Sequence, residues 1–238
     1  MIQYKLAYLL LIGCVINTSQ SRYHELNNRP IIGILAQSFH PGDLYPASGD
    51  CFISASHVKF LESAGARVVP IKINEQPEVI EKLLSNVNGV LFPGGGVDVM
   101  DSPYQRNAKI AFEYALSQRF AGKYFPIWGT CLGLQQLSVL VAQSSDVLSA
   151  SKGTWGAAMN LPDLDRNGRM IRGMSDKLFD AVRFEPLTYN AHYNCVSMDS
   201  YQNNEKLQNF FKVLSTNMDN NGKTFISTIE GMYFLFLI

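Results

Sequence analysis

The 238-residue sequence predicts an α/β domain, a mostly parallel β-sheet with helices on both faces. From Pro30 onward, short apolar runs alternate with amphipathic stretches, and each strand-like run is continuously apolar. Continuous runs belong to strands buried on both faces, and strand–helix alternation is what parallel crossovers require. Composition points to a single unit. At 47% apolar and 17% charged residues the chain can fill one full-sized core, and no repeat or linker-like stretch divides it.

The elements follow in order. "PIIGILAQ" (30–37) is the first strand. "CFISASHVKFLESAGA" is a helix with Phe52, Ala55, Val58 and Leu61 on one face and Gly65 at its C-terminus. "RVVPI" is a strand, "PEVIEKLLSN" a helix, and "NGVLFPGGG" a strand running into glycines. "KIAFEYALSQRFA" is a helix, "YFPIWGT" a strand, and "CLGLQQLSVLVAQ" a helix apolar on nearly every side. Beyond Asp146 the pattern loosens. "SKGTWGAAMNLPDLDRNGRM" reads as loop, with a turn at Asn167-Gly168. "NCVSMD" and "VLSTNMD" are short strands flanking a helical "NNEKLQNFFK", and "KTFISTIEG" and "MYFLFLI" are two more strand-like runs.

Charge narrows the partners. The formal net charge is zero and no basic run occurs, which argues against nucleic-acid and membrane-surface binding. A polyanionic substrate would have to be met by a few local Lys or Arg. At the N-terminus, Lys5 precedes an apolar stretch from Leu6 to Ile16, followed by small or polar residues. That stretch is too short to span a bilayer and reads as a secretory signal peptide over residues 1–21, with cleavage expected between Thr18 and Arg22. Residues 22–238 then form the domain. Cys14 leaves with the signal, so Cys51, Cys131 and Cys195 remain. An oxidising compartment permits a Cys51–Cys195 bridge; three free thiols are the equal alternative.

Cys131 stands between Gly129 and Gly133, where an apolar strand gives way to a helix. Reactive sites in open α/β sheets lie at the carboxyl ends of strands. A nucleophile there needs a sharp turn, and glycines on either side let strand and helix approach, as in the Gly-x-Ser-x-Gly elbow of hydrolases. The helix N-terminus is expected to lower the thiol pKa, and the Leu132 N–H can face a developing oxyanion. Pro93-Gly94-Gly95-Gly96 ends the preceding strand, so its amides can line the same crevice and supply a second donor.

In order along the chain, "RPIIGILAQ", "FISASHVKFLESAGARVVPI", "GVLFPGGGVD", "YFPIWGTCLGLQQLSVL", "EPLTYNAHYN", "EKLQNFFKVLSTN" and "FISTIEG" resemble the γ-glutamyl hydrolases of the class I glutamine amidotransferase-like group. The resemblance runs from about Arg29 to Gly231. It implies a flavodoxin-like three-layer sandwich, a secreted, lysosomal or vacuolar setting, and hydrolysis of folate poly-γ-glutamates through a thioester. It implies Cys131 as nucleophile, Gly95 and Leu132 as oxyanion donors, and His192 of "NAHYN" near the substrate. No cofactor and no metal is implied. The expected partner is a small peptide-like substrate, with no nucleic acid, no membrane and a homodimer left open.

One departure is large. After "FISTIEG" the family continues into a Trp-His-Pro-Glu strand, whose histidine is the base and whose glutamate orients it, and then a final helix. This sequence reads "MYFLFLI" there, and its histidines are His24, His40, His57 and His192, none in that context. The reading is a C-terminally truncated member with impaired hydrolysis. The alternatives are a catalytically silent γ-glutamyl-binding protein, a hydrolase of other small γ-glutamyl amides, or an amidotransferase domain, which a signal peptide disfavours. Gln135 and Gln136 receive no catalytic role.

Overall fold

The computed structural model describes residues 27–39, 49–232 and the backbone of 236–237. The segment read as a signal peptide, His24 and His40 lie outside the described residues. In chain order the elements begin with β1 (Ile31–Leu35), β2 (Gln37–Ser38), β3 (Cys51–Phe52), α1 (Ala55–Ser63), β4 (Arg67–Ile71) and α2 (Pro77–Leu84). Next come β5 (Gly89–Phe92), α3 (Pro103–Phe120), β6 (Ile127–Gly129), α4 (Leu132–Ala142), β7 (Leu148–Ala150) and β8 (Ala157–Met159). The series continues with α5 (Asp176–Phe184), β9 (Thr188–Asn190), β10 (Asn194–Val196), α6 (Met198–Gln202), α7 (Glu205–Phe210), β11 (Phe211–Met218), β12 (Thr224–Gly231) and β13 (Phe236–Leu237).

A seven-stranded sheet of order β11-β12-β13-β6-β5-β1-β4 organises the molecule. Strands β4, β1, β5, β6 and β13 run parallel, and β12 and β11 join antiparallel at one edge. The expectation of a mostly parallel sheet therefore holds, as does the flavodoxin-like α/β class. Within the "MYFLFLI" run, the backbone of Phe236 and Leu237 joins the sheet, where Phe236 pairs with Ile127 and Leu237 with Trp128. Helices α2, α3, α4 and α7 pack in series. Their buried faces and the central strands make the main core, with Leu35, Ile71, Phe92, Ile127 and Leu137 fully enclosed. Helix α4 earns its all-round apolarity, because nine of its eleven residues are buried. Helix α1 leans on β1 and β4 and buries none of its residues. A smaller cluster of Leu161, Leu164, Ile171 and Leu214, backed by Phe179 and Val182, lies beside β11.

Several elements differ from the expectations. Cys51 and Phe52, expected to open a helix, form β3, so α1 begins at Ala55, and Phe211, expected inside a helix, opens β11. Helix α3 starts at Pro103, a turn and a half before "KIAFEY", because the Ser102 side chain accepts from the Gln105 N–H at 3.0 Å and Pro103 takes the first helical position. Helix α5 was not expected at all. Its signal was the cap Ser175, whose hydroxyl accepts from the Leu178 N–H. The stretch expected to be loop carries β8, which pairs antiparallel with β9 through three residues.

Candidate active site

Strands β5 and β6 are neighbours with Phe92 opposite Gly129, so both glycine-bearing strand ends finish side by side. The Thr130 N–H donates to the Phe92 carbonyl at 3.0 Å and ties the two ends together. Cys131 follows at φ 54°, ψ −106°, a backbone conformation that side chains rarely adopt, and α4 begins at the next residue. The flanking glycines are sterically required. A Cβ on Gly133 would sit 2.1 Å from the Phe92 carbonyl oxygen, and one on Gly129 would sit 2.7 Å from the Gly133 carbonyl. Strand, strand and helix thus touch through bare backbone, and the turn throws the cysteine side chain out.

Leu132 and Gly95 line the larger cavity together with Cys131, and their backbone amides pull its thiol pKa down. The two residues expected to act as oxyanion donors are therefore brought together beside the cysteine. Leu132 gets there as the first residue of α4. Gly95 is aimed by two buried side chains behind the loop. Gln37 Nε2 donates to the Gly94 carbonyl at 2.7 Å, and the Tyr104 hydroxyl donates to the Pro93 carbonyl at 3.1 Å. In a trans peptide C=O and N–H point opposite ways, so pulling the Gly94 oxygen toward Gln37 turns the Gly95 N–H toward the cysteine. Gly95 must be glycine for this, since a Cβ there would fall 1.6 Å from the Gln37 Oε1.

One expectation is corrected. Burial pushes the Cys131 thiol up; the Leu132 and Gly95 amides pull it back only in part, so the thiol form is favoured in the resting site. The helix N-terminus does not outweigh the loss of water around the sulfur. A nucleophilic role for Cys131 would therefore need a base to take the thiol proton. The structure also holds Cys51, Cys131 and Cys195 as free thiols. A Cys51–Cys195 bridge is not formed. Cys51 lies on β3 against β2, while Cys195 lies on β10 against β7, in a different small sheet.

Two cavities meet at Cys131. One, of about 300 Å³, runs between the end of β6 and β12, past Leu134, Met170 and Phe225. The other, of about 640 Å³, runs along Gly94–Gly96 toward Trp155 and Tyr193. Cys131, Gln135, Ala191, His192 and Asn194 are common to both. No Lys or Arg occurs among the described residues that line either one. The local cations that a polyanionic substrate calls for are not in these walls.

His192 is the one histidine in the cleft among the described residues. Its Nε2 lies 3.2 Å from the Asn190 Oδ1, its ring stands edge-on to Phe225 at 5.3 Å, and its buried Nδ1 has no partner. Burial pulls its pKa below the usual histidine value, against a smaller opposing pull from the Asn194 backbone. It is neutral at neutral pH. His57 sits half-buried in α1 and lines neither cavity. Gln135 and Gln136, assigned no chemistry, have structural work: Gln135 Nε2 donates to the Asn194 carbonyl at 2.8 Å and Gln136 Nε2 to that of Val99 at 3.1 Å. Asn190, Asn194, Trp155 and Tyr193 line the cleft and were not singled out. They sit on short ribbons and loops with no periodicity to flag them.

The family model described as Peptidase C26 matches residues 30–144, from β1 to the end of α4. Gamma-glutamyl hydrolase of Rattus norvegicus is 42% identical over 224 residues, covering 94% of this chain and 69% of that protein. That of Homo sapiens is 41% identical over 227 residues, covering 94% and 70%. Gamma-glutamyl hydrolase B of Dictyostelium discoideum is 38% identical over 210 residues, covering 87% and 60%. Among solved structures, the glutaminase domain of Trypanosoma brucei CTPS with bound acivicin superposes with a TM-score of 0.54 at 12% identity, covering 87% of this chain and 83% of that one. That likeness speaks to the fold. The sequence relationship is closer, and it runs through the elbow and the glycine loop alike: the chain belongs to the γ-glutamyl hydrolase family.

Proposed function

We propose that Cys131 opens γ-glutamyl bonds through a thioester, with folate poly-γ-glutamates as the substrate class. The carrying observation is the elbow itself: Cys131 at φ 54° on strand and helix ends held in contact by Gly129 and Gly133, with the Gly94–Gly96 loop beside it. In the first step Sγ bonds to the γ-carbonyl carbon, the thiol proton passes to solvent water in the absence of a base, and the carbonyl electron pair moves onto oxygen, which the two amides hold. Collapse breaks the C–N bond, and the amine takes a proton from water as it departs. A second water then bonds to the thioester carbon and gives its proton to solvent, the C–S bond breaks, and the sulfur is reprotonated, leaving a γ-carboxylate. His192, neutral and with an unpartnered Nδ1 in the cleft, binds the substrate beside the nucleophile.

Within these 238 residues no histidine–carboxylate pair accompanies the cysteine in a Trp-His-Pro-Glu sequence. General acid–base help is typically worth about 10²–10⁴-fold, so residues 22–238 by themselves work that much more slowly than a form extended by such a strand and a final helix. Both forms are assayed on pteroyl-γ-polyglutamate and on glutamine. Preference for glutamine would sink the substrate class, and equal rates of the two forms would sink the impairment. A signal peptide over residues 1–21 sends the chain outside the cell or to a lysosome or vacuole. Its test is N-terminal sequencing of exported protein, where a start at Met1 counts against it.

A further inference from the structure

Trp155 and Tyr193 stack face to face, with ring centroids 4.6 Å apart and planes 9° from parallel. Both line the larger cavity beside Cys131, yet they stay 59% and 66% exposed. Large rings usually sink into a core or find a partner, so a pair held out in water at the mouth of a cleft is a surface awaiting contact.

The pair is not loosely held. Tyr193 directly follows His192, which shares both cavities with the nucleophile. Trp155 sits on the loop after β7, flanked by Gly153 and Gly156 at φ +74° and +76°. Three hydrogen bonds lash that loop to the His192 segment: Ser151 N–H to the Tyr193 carbonyl at 2.8 Å, Gly156 N–H to the Asn190 carbonyl at 2.9 Å, and the fully buried Thr154 hydroxyl to the His192 carbonyl at 2.7 Å. The β11–β12 turn braces the loop from behind, through Lys152 N–H to Asp219 Oδ2 at 3.0 Å. The rings are therefore fixed in register with the cysteine before any ligand arrives.

We propose that the Trp155–Tyr193 stack is an aryl-binding platform that takes the planar aromatic end of an N-acyl-γ-glutamyl substrate. The proposal rests on the γ-glutamyl hydrolase reading for what lies at Cys131, and adds which end of the substrate lies in which cavity. The walls explain the choice. None of the described residues of this cavity is a Lys or Arg, and Asp98 is among them, so a carboxylate-bearing tail gains no ion pair there. A neutral heteroaromatic ring extends the stack by its π-face and loses little on leaving water. The glutamyl tail then runs away from the platform.

The test compares two ligands on protein carrying Cys131→Ala, which cannot turn over. One is pteroyl-γ-glutamylglutamate; the other is acetyl-γ-glutamylglutamate, with the same γ-glutamyl linkage and no ring. Calorimetric titration is run on that background alone and with Trp155→Ala, Tyr193→Ala or Trp155→Phe added. The pteroyl ligand is expected to bind about tenfold more weakly to either alanine variant and near the parent affinity to Trp155→Phe. The acetyl ligand should bind all four proteins alike. Unchanged pteroyl binding in both alanine variants overturns the platform, as does an equal loss for both ligands. A ring-selective loss in a chain whose cysteine form cleaves no γ-glutamyl bond would leave the platform standing and bring down the hydrolase reading. Cleavage without ring selectivity does the reverse.

Discussion

The two halves of the molecule are built by different rules. From β1 to α4 the site is made of backbone: glycines in contact, a glycine loop beside the cysteine, and a cysteine whose own dihedral angles are strained. From β7 to β12 it is made of side chains on short ribbons and loops, with amides, a histidine and two exposed rings facing the cleft. Backbone geometry leaves almost no freedom in the residues that produce it, whereas a ribbon can carry many side chains on the same path. In the proposed reaction the first half supplies the chemistry and the second what the chemistry meets.

The largest expected effect sets activity against stability at one position. In the extended form, Cys131→Gly removes the proposed nucleophile, and single losses of this kind cost about 10⁴-fold or more in turnover. The same change removes the Cβ that makes φ 54° unfavourable. Such strain is worth roughly 1–3 kcal/mol, against roughly 0.5–1 kcal/mol for the added entropy of a glycine. A net gain of about 1 kcal/mol is expected in urea melts. A lower midpoint would mean that the elbow stores no strain.

Next in size is the steric contrast between glycines. Gly133→Ala drives a Cβ to 2.1 Å from the Phe92 oxygen, deep between β5 and α4. Overpacking of this severity costs about 3 kcal/mol, and the elbow opens with it. Gly173→Ala meets nothing within 4 Å, at an exposed turn in the second half. It is expected to stay within about 1 kcal/mol of the parent, on the stabilising side. Equal melts for the two variants would erase the distinction between the halves.

The same contrast explains what the sequence could and could not reveal. Gly129, Cys131 and Gly133 are recognisable because each has a steric duty that no other residue meets, and the glycine loop after β5 is recognisable for the same reason. Continuous apolar runs made β1, β4, β5 and β6 legible. Gln37 was invisible: it opens the two-residue β2, and only the fold brings its amide to the Gly94 carbonyl, 57 residues away. The β8–β9 ribbon escaped because strands of three residues are too short to show alternation. Helix α5 was legible and missed: Leu178, Phe179 and Val182 recur at helical spacing behind the cap Ser175. The thiol pKa was misjudged because burial is a property of the folded site and of no local pattern.

A smaller pair of effects separates rate from binding. Gln37→Leu frees the Gly94 peptide to rotate, so one oxyanion donor is lost. Loss of one donor is worth about 10²–10³-fold, expected here in kcat with KM little changed. Thr154→Val removes the hydroxyl that holds the His192 carbonyl on the recognition side. A net hydrogen bond is worth about 1 kcal/mol, so KM should rise several-fold with kcat nearly constant. Steady-state kinetics on the extended form would read both. The opposite split, kcat falling in Thr154→Val and KM rising in Gln37→Leu, would mean that the division of labour runs the other way.

The smallest effect is a pH dependence, and it has opposite signs at the two residues that meet in the cleft. Burial lowers the His192 pKa below 6.5. As pH falls through 6.5 the unfolded chain takes up the proton while the folded one still resists it. The unfolded state then binds more protons, and stability declines toward acid until the folded pKa is passed. Cys131 works at the other end. Its raised pKa keeps the folded thiol protonated while the unfolded thiol ionises near 9, so stability declines as pH rises above that value. His192→Gln should therefore flatten the melting-temperature profile below pH 6.5 and leave the alkaline limb alone. Cys131→Ser should flatten the alkaline limb and leave the acid one. Other groups share both limbs, so each change is partial. An acid limb unchanged by His192→Gln would mean that the histidine is as well hydrated folded as unfolded, and the cleft would then be an open trough rather than a site that excludes water from its nucleophile.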